Sequence, residues 1–496
     1  MNSVLLPLLL AVPLAGAVAL LVLPAGLADR VAVRLGVVTS GLTVVLACWS
    51  ATSEPTTNVS WVPSLGLRFH LGIDGISSPL VLLTAGLTFL CTVYSLKVLP
   101  ESGRPRGLIG LLLLLEVGML GTFVALDLLL FFVFFEVVLV PMWFVIALWG
   151  DTSESARRVG AANTFILYTL LGSAVMLLGI LLVGFKAGTF DITTLTASGG
   201  KGLSHPTQVL AFAALALGLA VKAPMWPLHS WLPDAHTAAP TVGSVLLAGV
   251  LLKMGTYGLI RIAVPIVPDG AHTLAPYLGA FAVVGILYGA LACLAQRDLK
   301  RLIAFSSVGH MGFVLLGIAT LTPVGINGAL YANVAHGLIT GLLFFLVGAV
   351  KDRHHTAVLD ELGGGLYERL PRLGGLLAFA AVASLGLPGL AGFWGEMLTL
   401  LGAFDPAPGL DRGYFLVLMA LAGVGVVLTT TYFVVMIRRV AQGTTSARWR
   451  DAVQLRDATP IELISWSPVV FFVVLLGFWP SLLLDVTDPV VRRVLG

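Results

Sequence analysis

The sequence predicts an all-α polytopic membrane protein with about fourteen transmembrane helices. Three observations predict it. Hydrophobic residues make up 58% of the chain, charged residues only 11%, and the mean hydropathy is +1.00, which is too apolar a balance for a 496-residue protein dissolved in water. The apolar residues gather into segments of about 20, the length that crosses a bilayer's hydrocarbon layer as a helix. Finally, Lys222, Lys253, Glu116, Glu136 and Glu396 fall inside such segments rather than between them.

In chain order the expected spans centre on Pro13, Ser40, Leu87, Glu116, Leu139, Gly172, Ala220, Leu252, Gly285, Met311, Ile339, Leu387, Gly425 and Leu475. Only Met1, Asn2 and Ser3 precede the first apolar run. Without a basic leader, that segment is expected to stay as a helix rather than be cleaved as a signal peptide. If the chain starts outside the cell, nineteen lysines and arginines fall in cytoplasmic loops, Arg297, Arg301, Arg448 and Arg450 among them, and seven fall outside. With Lys222 and Lys253 these account for all 28. The excess of basic residues on one side sets the orientation, and an even number of spans then places both termini outside.

The three cysteines, Cys48, Cys91 and Cys293, lie far apart and form no CxxC pair, so iron–sulfur or zinc ligation is not expected. No Walker A loop, dinucleotide-binding fingerprint or HExxH motif occurs. Redox or nucleotide chemistry linked to this chain is therefore expected on partner subunits. A net charge of +3 gives no reason to expect nucleic-acid binding.

Two spans are expected to be discontinuous. In Val221–His236, Pro224, Pro227 and Pro233 remove backbone donors and clash with the preceding turn, so no continuous helix can form. A second interruption runs through Gly386, Pro388 and Gly389 to Glu396. Broken backbone inside a bilayer is tolerated where it is buried in protein or lines a wet cavity, the usual setting of a transport site. The breaks lie five spans apart, each beside one charge. That spacing suggests two five-helix repeats, over residues 107–265 and 266–440, preceded by three helices in 1–106 and followed by a loop and a fourteenth helix in 441–496.

Buried ionisable groups on successive helices are the raw material of an ion or proton path, because each costs several kcal/mol unless partnered. Lys222 and Lys253 are too deep to reach the interface easily. Either they exchange protons as their surroundings change or they staple helices together in static salt bridges. Asp127 marks the turn between the spans of Glu116 and Glu136. These carboxyls lie eleven residues before it and nine after, at about 16 and 14 Å from one surface, a similar depth at which two carboxyls on a hairpin can interact; otherwise each is a protonated or hydrogen-bonded packing residue. His310 and His336 sit inside apolar spans, where a histidine suits proton relay or simply makes a hydrogen bond. His229 and His236 fall at the end of the first broken helix, as access groups or caps. His70, His354 and His355 are expected to be solvated.

With these residues placed, a resemblance is apparent. Lys222–His236, followed by Ala239-Pro240-Thr241 and Leu252–Gly258, resembles the signature of the antiporter-like subunits of respiratory complex I and of Mrp-type cation/proton antiporters. Within that superfamily Asp127–Glu136 and the glutamate at position 396, where most relatives carry lysine, are similar to the NuoM type of bacterial NADH:quinone oxidoreductase. The resemblance implies inverted repeats with the seventh and twelfth helices broken. It implies that Glu136 and Lys222 form a pair, that Lys253 is central, that His310 and His336 form a polar bridge, and that Glu396 is the exit-side site. The implied partners are other complex I membrane subunits, NuoL-like and NuoN-like, together with lipids. FMN, iron–sulfur clusters and quinone are expected in partner subunits, with no cofactor in this chain. The implied place is the bacterial inner or plasma membrane. An Mrp-type Na⁺/H⁺ antiporter subunit and a membrane-bound hydrogenase subunit are the alternatives.

Overall fold

A computed structural model describes residues 2–100, 102–151, 155–445 and 455–495. Arg448 and Arg450, counted above among the basic loop residues, lie outside the described residues. Twelve of the described helices are long and apolar enough to cross a membrane. Two shorter apolar helices, Ser78–Tyr94 and Pro371–Ala383, complete the fourteen expected spans in chain order. The fold is an all-α polytopic membrane protein. Its two membrane surfaces are named below by their residues: the terminal face, where the chain begins, and the basic face, which carries Arg297 and Arg301.

The spans divide into a rim and a centre. On the Ser155–Ala187 helix, Leu171 is 70% and Phe185 68% exposed, as expected of a surface solvated by hydrocarbon. By contrast, the apolar windows of spans 8 (Thr241–Ile266) and 11 (Pro323–His354) are entirely buried. These two central helices carry Lys253 and His336. Span 8 is also irregular, with π-helical turns at Leu247–Leu251 and Leu259–Ala263 on either side of the α-helical Leu252–Gly258. Such turns inside a helix are frequent at functional sites.

Both expected breaks are present. The first half of span 7, His205–Lys222, ends at Lys222 and the chain becomes helical again at Trp231–Ala238. The Trp231 indole donates to the Val221 carbonyl at 3.0 Å, satisfying an acceptor that the break leaves without a helical partner. Span 12 is Pro371–Ala383 and Ala391–Phe404, joined through Gly386 and Gly389, both at positive φ.

Two elements on the terminal face were not expected from the sequence. Strands β1 (Thr56–Val62) and β2 (Leu67–Gly72) form an antiparallel hairpin with Thr56 opposite Gly72. After span 14 (Pro460–Phe478), the region expected to hold only a loop and one helix has another, Ser481–Leu495. It buries Leu483, Thr487 and Val491, one residue per turn, and Thr487 donates to Asn327 at 2.7 Å.

His70 and His354 correct the expectation that they are solvated. His70 is buried on the hairpin with Nδ1 2.6 Å from Asp191, because β2 folds back over the Asp191 turn. His354, the last residue of the Pro323–His354 helix, is also buried. Arg261 at the end of span 8 forms an ion pair with Asp74, tying the hairpin's exit to the central helix.

Candidate functional site

Glu136 is the penultimate residue of Leu128–Val137, just before the helix is interrupted at Val138 and continues as Leu139–Trp149. Lys222 closes its half-helix. A helix C-terminus carries partial negative charge, so the break itself places a favourable dipole end beside a buried ammonium. Nζ of Lys222 makes no hydrogen bond and stands 4.6 Å from the centre of the Phe135 ring. Glu136 is the charge acting on it, and the Ser173 hydroxyl lies beside that carboxylate. The two charges are thus within electrostatic reach without a direct contact between them.

Glu116 does not join this pair. Its side chain is fully buried, and neither carboxyl oxygen has a hydrogen-bond partner. The reason is rotational. Span 4 packs on span 5 through Gly118 and Gly121, against Val138 and Phe134. Glu116 is two residues before Gly118, about 200° around the helix, and faces away. Equal depth on a hairpin was not enough to bring the carboxyls together.

Lys253 lies one turn beyond Gly249 on the central helix. Its Nζ donates to the Ala248 carbonyl and lies 2.6 Å from Nδ1 of His336. The His336 and His310 ring centres are 5.6 Å apart, and Nδ1 of His310 is 3.3 Å from a Glu396 oxygen. Four groups on four helices therefore stand in the order Lys253, His336, His310, Glu396. That order places His336 before His310, the reverse of their order in the chain. A cavity of about 20 Å³ lined by His310, His336, Thr340, Ser384 and Glu396 adjoins the second half of this line. It is large enough for one water. The Asn333 side chain positions the neighbouring turn of span 8 by accepting from Thr256 at 3.0 Å.

Glu396 owes its place to the break before it. A Cβ on Gly386 would lie 2.5 Å from a Glu396 oxygen, and φ there is +71°. Both facts favour glycine.

The access residues have distinct settings. His236 is fully buried, stacked on Phe344 at 4.5 Å, and neither ring nitrogen has a partner. It stands within electrostatic reach of both Lys300 and Lys253. Lys300, missed in the sequence because it sits in a basic loop-like run, is buried and donates to the Ala239 carbonyl. It lines a cavity of about 640 Å³ at the basic face, together with Asp151, Asp234, Lys351 and Asp352. His229 packs against Tyr288 at 4.9 Å. Asp127 is a helix cap: its carboxylate accepts from the backbone of Leu129, Leu130 and Arg68, at 3.0, 3.1 and 3.3 Å. It stands outside the line of charges. Among the described residues no group of three or more histidine, cysteine or acidic side chains has the arrangement of a metal site.

Residues 125–429 match the family described as NADH:quinone oxidoreductase/Mrp antiporter, TM. The chain is 39% identical to NADH-quinone oxidoreductase subunit M of Rhodobacter capsulatus over 99% of its own length and 96% of the relative's. A chain of respiratory complex I from Thermus thermophilus with bound NADH superposes with a TM-score of 0.87 at 30% identity, covering 99% of this chain and 100% of that one. The fold is shared with a chain of the Mrp complex from Dietzia sp. DQ12-45-1b, at TM-score 0.85 and 22% identity over 100% of this chain and 99% of that one. With the family model covering more than half of the chain, this protein belongs to the NADH:quinone oxidoreductase/Mrp antiporter transmembrane family.

Proposed function

We propose that this chain is the proton-translocating membrane subunit of a bacterial NADH:quinone oxidoreductase. It works in the plasma membrane with both termini outside, beside NuoL-like and NuoN-like subunits. FMN, iron–sulfur clusters and quinone belong to its partners. The observation that carries the reading is the line Lys253–His336–His310–Glu396, with closest approaches of 2.6 and 3.3 Å at its two ends and one water-sized cavity beside it. Ionisable groups at mid-membrane are costly, so a line of them set against one another is the mark of an ion or proton path.

The mechanism is electrostatic. A rearrangement in the quinone-reducing arm, passed through neighbouring subunits, moves Glu136 relative to Lys222. At an effective dielectric of about 20, unit charges about 4 Å apart interact by about 4 kcal/mol, roughly a thousandfold in a protonation equilibrium. Losing that interaction drives a proton from Lys222 toward Lys253. From there His336 and His310 take it up on one nitrogen and release it from the other, delivering it to Glu396. The basic-face cavity, Lys300 and His236 supply the replacement proton.

The division into 1–106, 107–265, 266–440 and 441–496 fits this reading. The broken helices are the fourth of each five-span unit. An odd number of spans begins and ends on opposite faces, so a second copy following directly is inverted.

The test is NADH-driven acidification of inverted membrane vesicles in sodium-free buffer. Acidification that persists without sodium and collapses with a protonophore supports proton transport. Sodium uptake that resists the protonophore and requires Glu396 would support an Mrp-type antiporter instead.

A further inference from the structure

The line of charges ends at Glu396, about half a membrane short of the terminal face, and what carries the proton onward is a separate question. Thr399 lies three residues beyond Glu396 on the same helix, about 4.5 Å nearer that face. Its side chain is fully buried and Oγ1 has no hydrogen-bond partner. Buried hydroxyls are as a rule hydrogen-bonded; this one has a free donor and a free acceptor.

That hydroxyl packs against the backbone of Gly317, where a side chain would not fit. The position a Cβ on Gly317 would take lies 2.9 Å from Thr399 Oγ1 and 2.6 Å from the Gly325 carbonyl oxygen. The Ala329 methyl stands 3.3 Å from the same position, so the hydroxyl reaches Gly317 between closely packed helices. One turn further out, Thr320 is fully buried, and its hydroxyl donates to the Gly317 carbonyl at 2.8 Å. It also lies 3.0 Å from the hydroxyl of Thr322, which is partly exposed at the terminal face. Positions a Cβ would take on Gly325 and Gly402 lie 2.0 and 3.2 Å from Thr320 Oγ1, so the bare backbone of these glycines lets neighbouring helices pack directly against the hydroxyl.

We infer that Thr399, Thr320 and Thr322 form the exit relay from Glu396 to the terminal face. The inference rests on the reading of Glu396 as the terminal proton site. Each transfer conserves atoms and charge. The protonated Glu396 carboxyl gives its proton to Thr399 Oγ1, directly or through one water, while the Thr399 hydroxyl proton passes outward to the next oxygen. Thr320 and Thr322 repeat the exchange, a proton leaves to water at the surface, and each hydroxyl then rotates back. Each of the three hydroxyls offers donor and acceptor together, as such an exchange requires.

The experiment compares Thr399→Val, Thr399→Ser and Glu396→Gln in the whole complex in inverted vesicles, with acidification rates normalised to assembled complex. Valine keeps the shape and removes the hydroxyl; serine keeps the hydroxyl. The expected result is acidification at least about tenfold slower in Thr399→Val, with recovery in Thr399→Ser. Wild-type acidification in Thr399→Val beside a defective Glu396→Gln would overturn the exit relay while leaving Glu396 in place. Equal loss in both threonine variants would also overturn it, because the hydroxyl would then not be the cause. Wild-type rates in Glu396→Gln as well would remove the reading on which the relay rests.

Discussion

Lys253 and His336, 83 residues apart in the chain, meet with their nitrogens 2.6 Å apart at the centre of the molecule, on the two spans whose apolar windows are completely buried. An ammonium buried there depends on protein partners, and beside the Ala248 carbonyl the imidazole is both a hydrogen-bond partner and the next acceptor for its proton. The same contact ties span 8, which carries Lys253, to span 11, which carries His336.

His336→Gln should keep an acceptor for Lys253 while removing a group able to take up a proton. Pumping should slow at least about tenfold at unchanged assembly. Acidification in inverted vesicles, normalised to complex content, is the measurement; a rate near wild type would mean that the proton bypasses the imidazole.

Glu136→Gln and Lys222→Ala each remove one side of the switch. Both variants should assemble and lose most quinone-linked pumping, whereas Glu136→Asp, which keeps the charge on a shorter arm, should be milder. Lys222 makes no direct hydrogen bond, so a purely structural staple is not what its surroundings describe. Loss of assembly in Lys222→Ala with normal pumping in Glu136→Gln would restore the staple reading.

Gly386→Ala should be harmful at a distance of ten residues from the carboxylate it disturbs. The positive φ costs about 1–2 kcal/mol for a residue with a side chain, and the new methyl would stand 2.5 Å from a Glu396 oxygen. Thermal denaturation should show the first effect and vesicle acidification the second. An alanine variant with wild-type values in both would mean that the break is more pliable than its geometry indicates.

On the terminal face, the buried Asp191 carboxylate gives a pH-dependent term. Burial opposes its charge, but hydrogen bonds from His70, Thr193 and Thr194 outweigh that and hold the carboxyl well below the usual range. A carboxyl lowered in the folded state contributes stability that is fully present above the unfolded value of about 3.9 and is lost as pH falls through the folded one. Asp191→Asn should therefore lower stability by about 1–3 kcal/mol at pH 6, and the difference should shrink in acid below about pH 4. Denaturation of the purified protein at both values checks it; a difference that grows in acid would contradict the sign.

The legible and illegible parts of this protein divide along a physical line. Spans, breaks and buried charges were legible because the bilayer imposes length on helices, proline breaks them, and each buried charge costs enough to be conspicuous in an apolar run. Contacts set by rotation about a helix axis were not. Glu116 and Glu136 share a depth yet face apart, and the His336–His310 order depends on which faces of spans 10 and 11 meet. The β1–β2 hairpin and the Ser481–Leu495 helix escaped because their alternating or amphipathic patterns average to modest hydropathy. Lys300 was hidden among loop cations, and only its burial distinguishes it. His70 gave no local signal, since its partner lies 121 residues away.

The central claim is that a proton crosses this chain through its mid-membrane line and leaves from Glu396. The most direct measurement is proton pumping and quinone reduction recorded side by side in membranes carrying assembled complex with Glu396→Gln or Glu396→Lys. Glutamine cannot titrate, so pumping per quinone reduced should fall severely, while lysine restores a titratable group with a different charge and should retain part of it. Wild-type pumping in Glu396→Gln would mean that the proton leaves elsewhere.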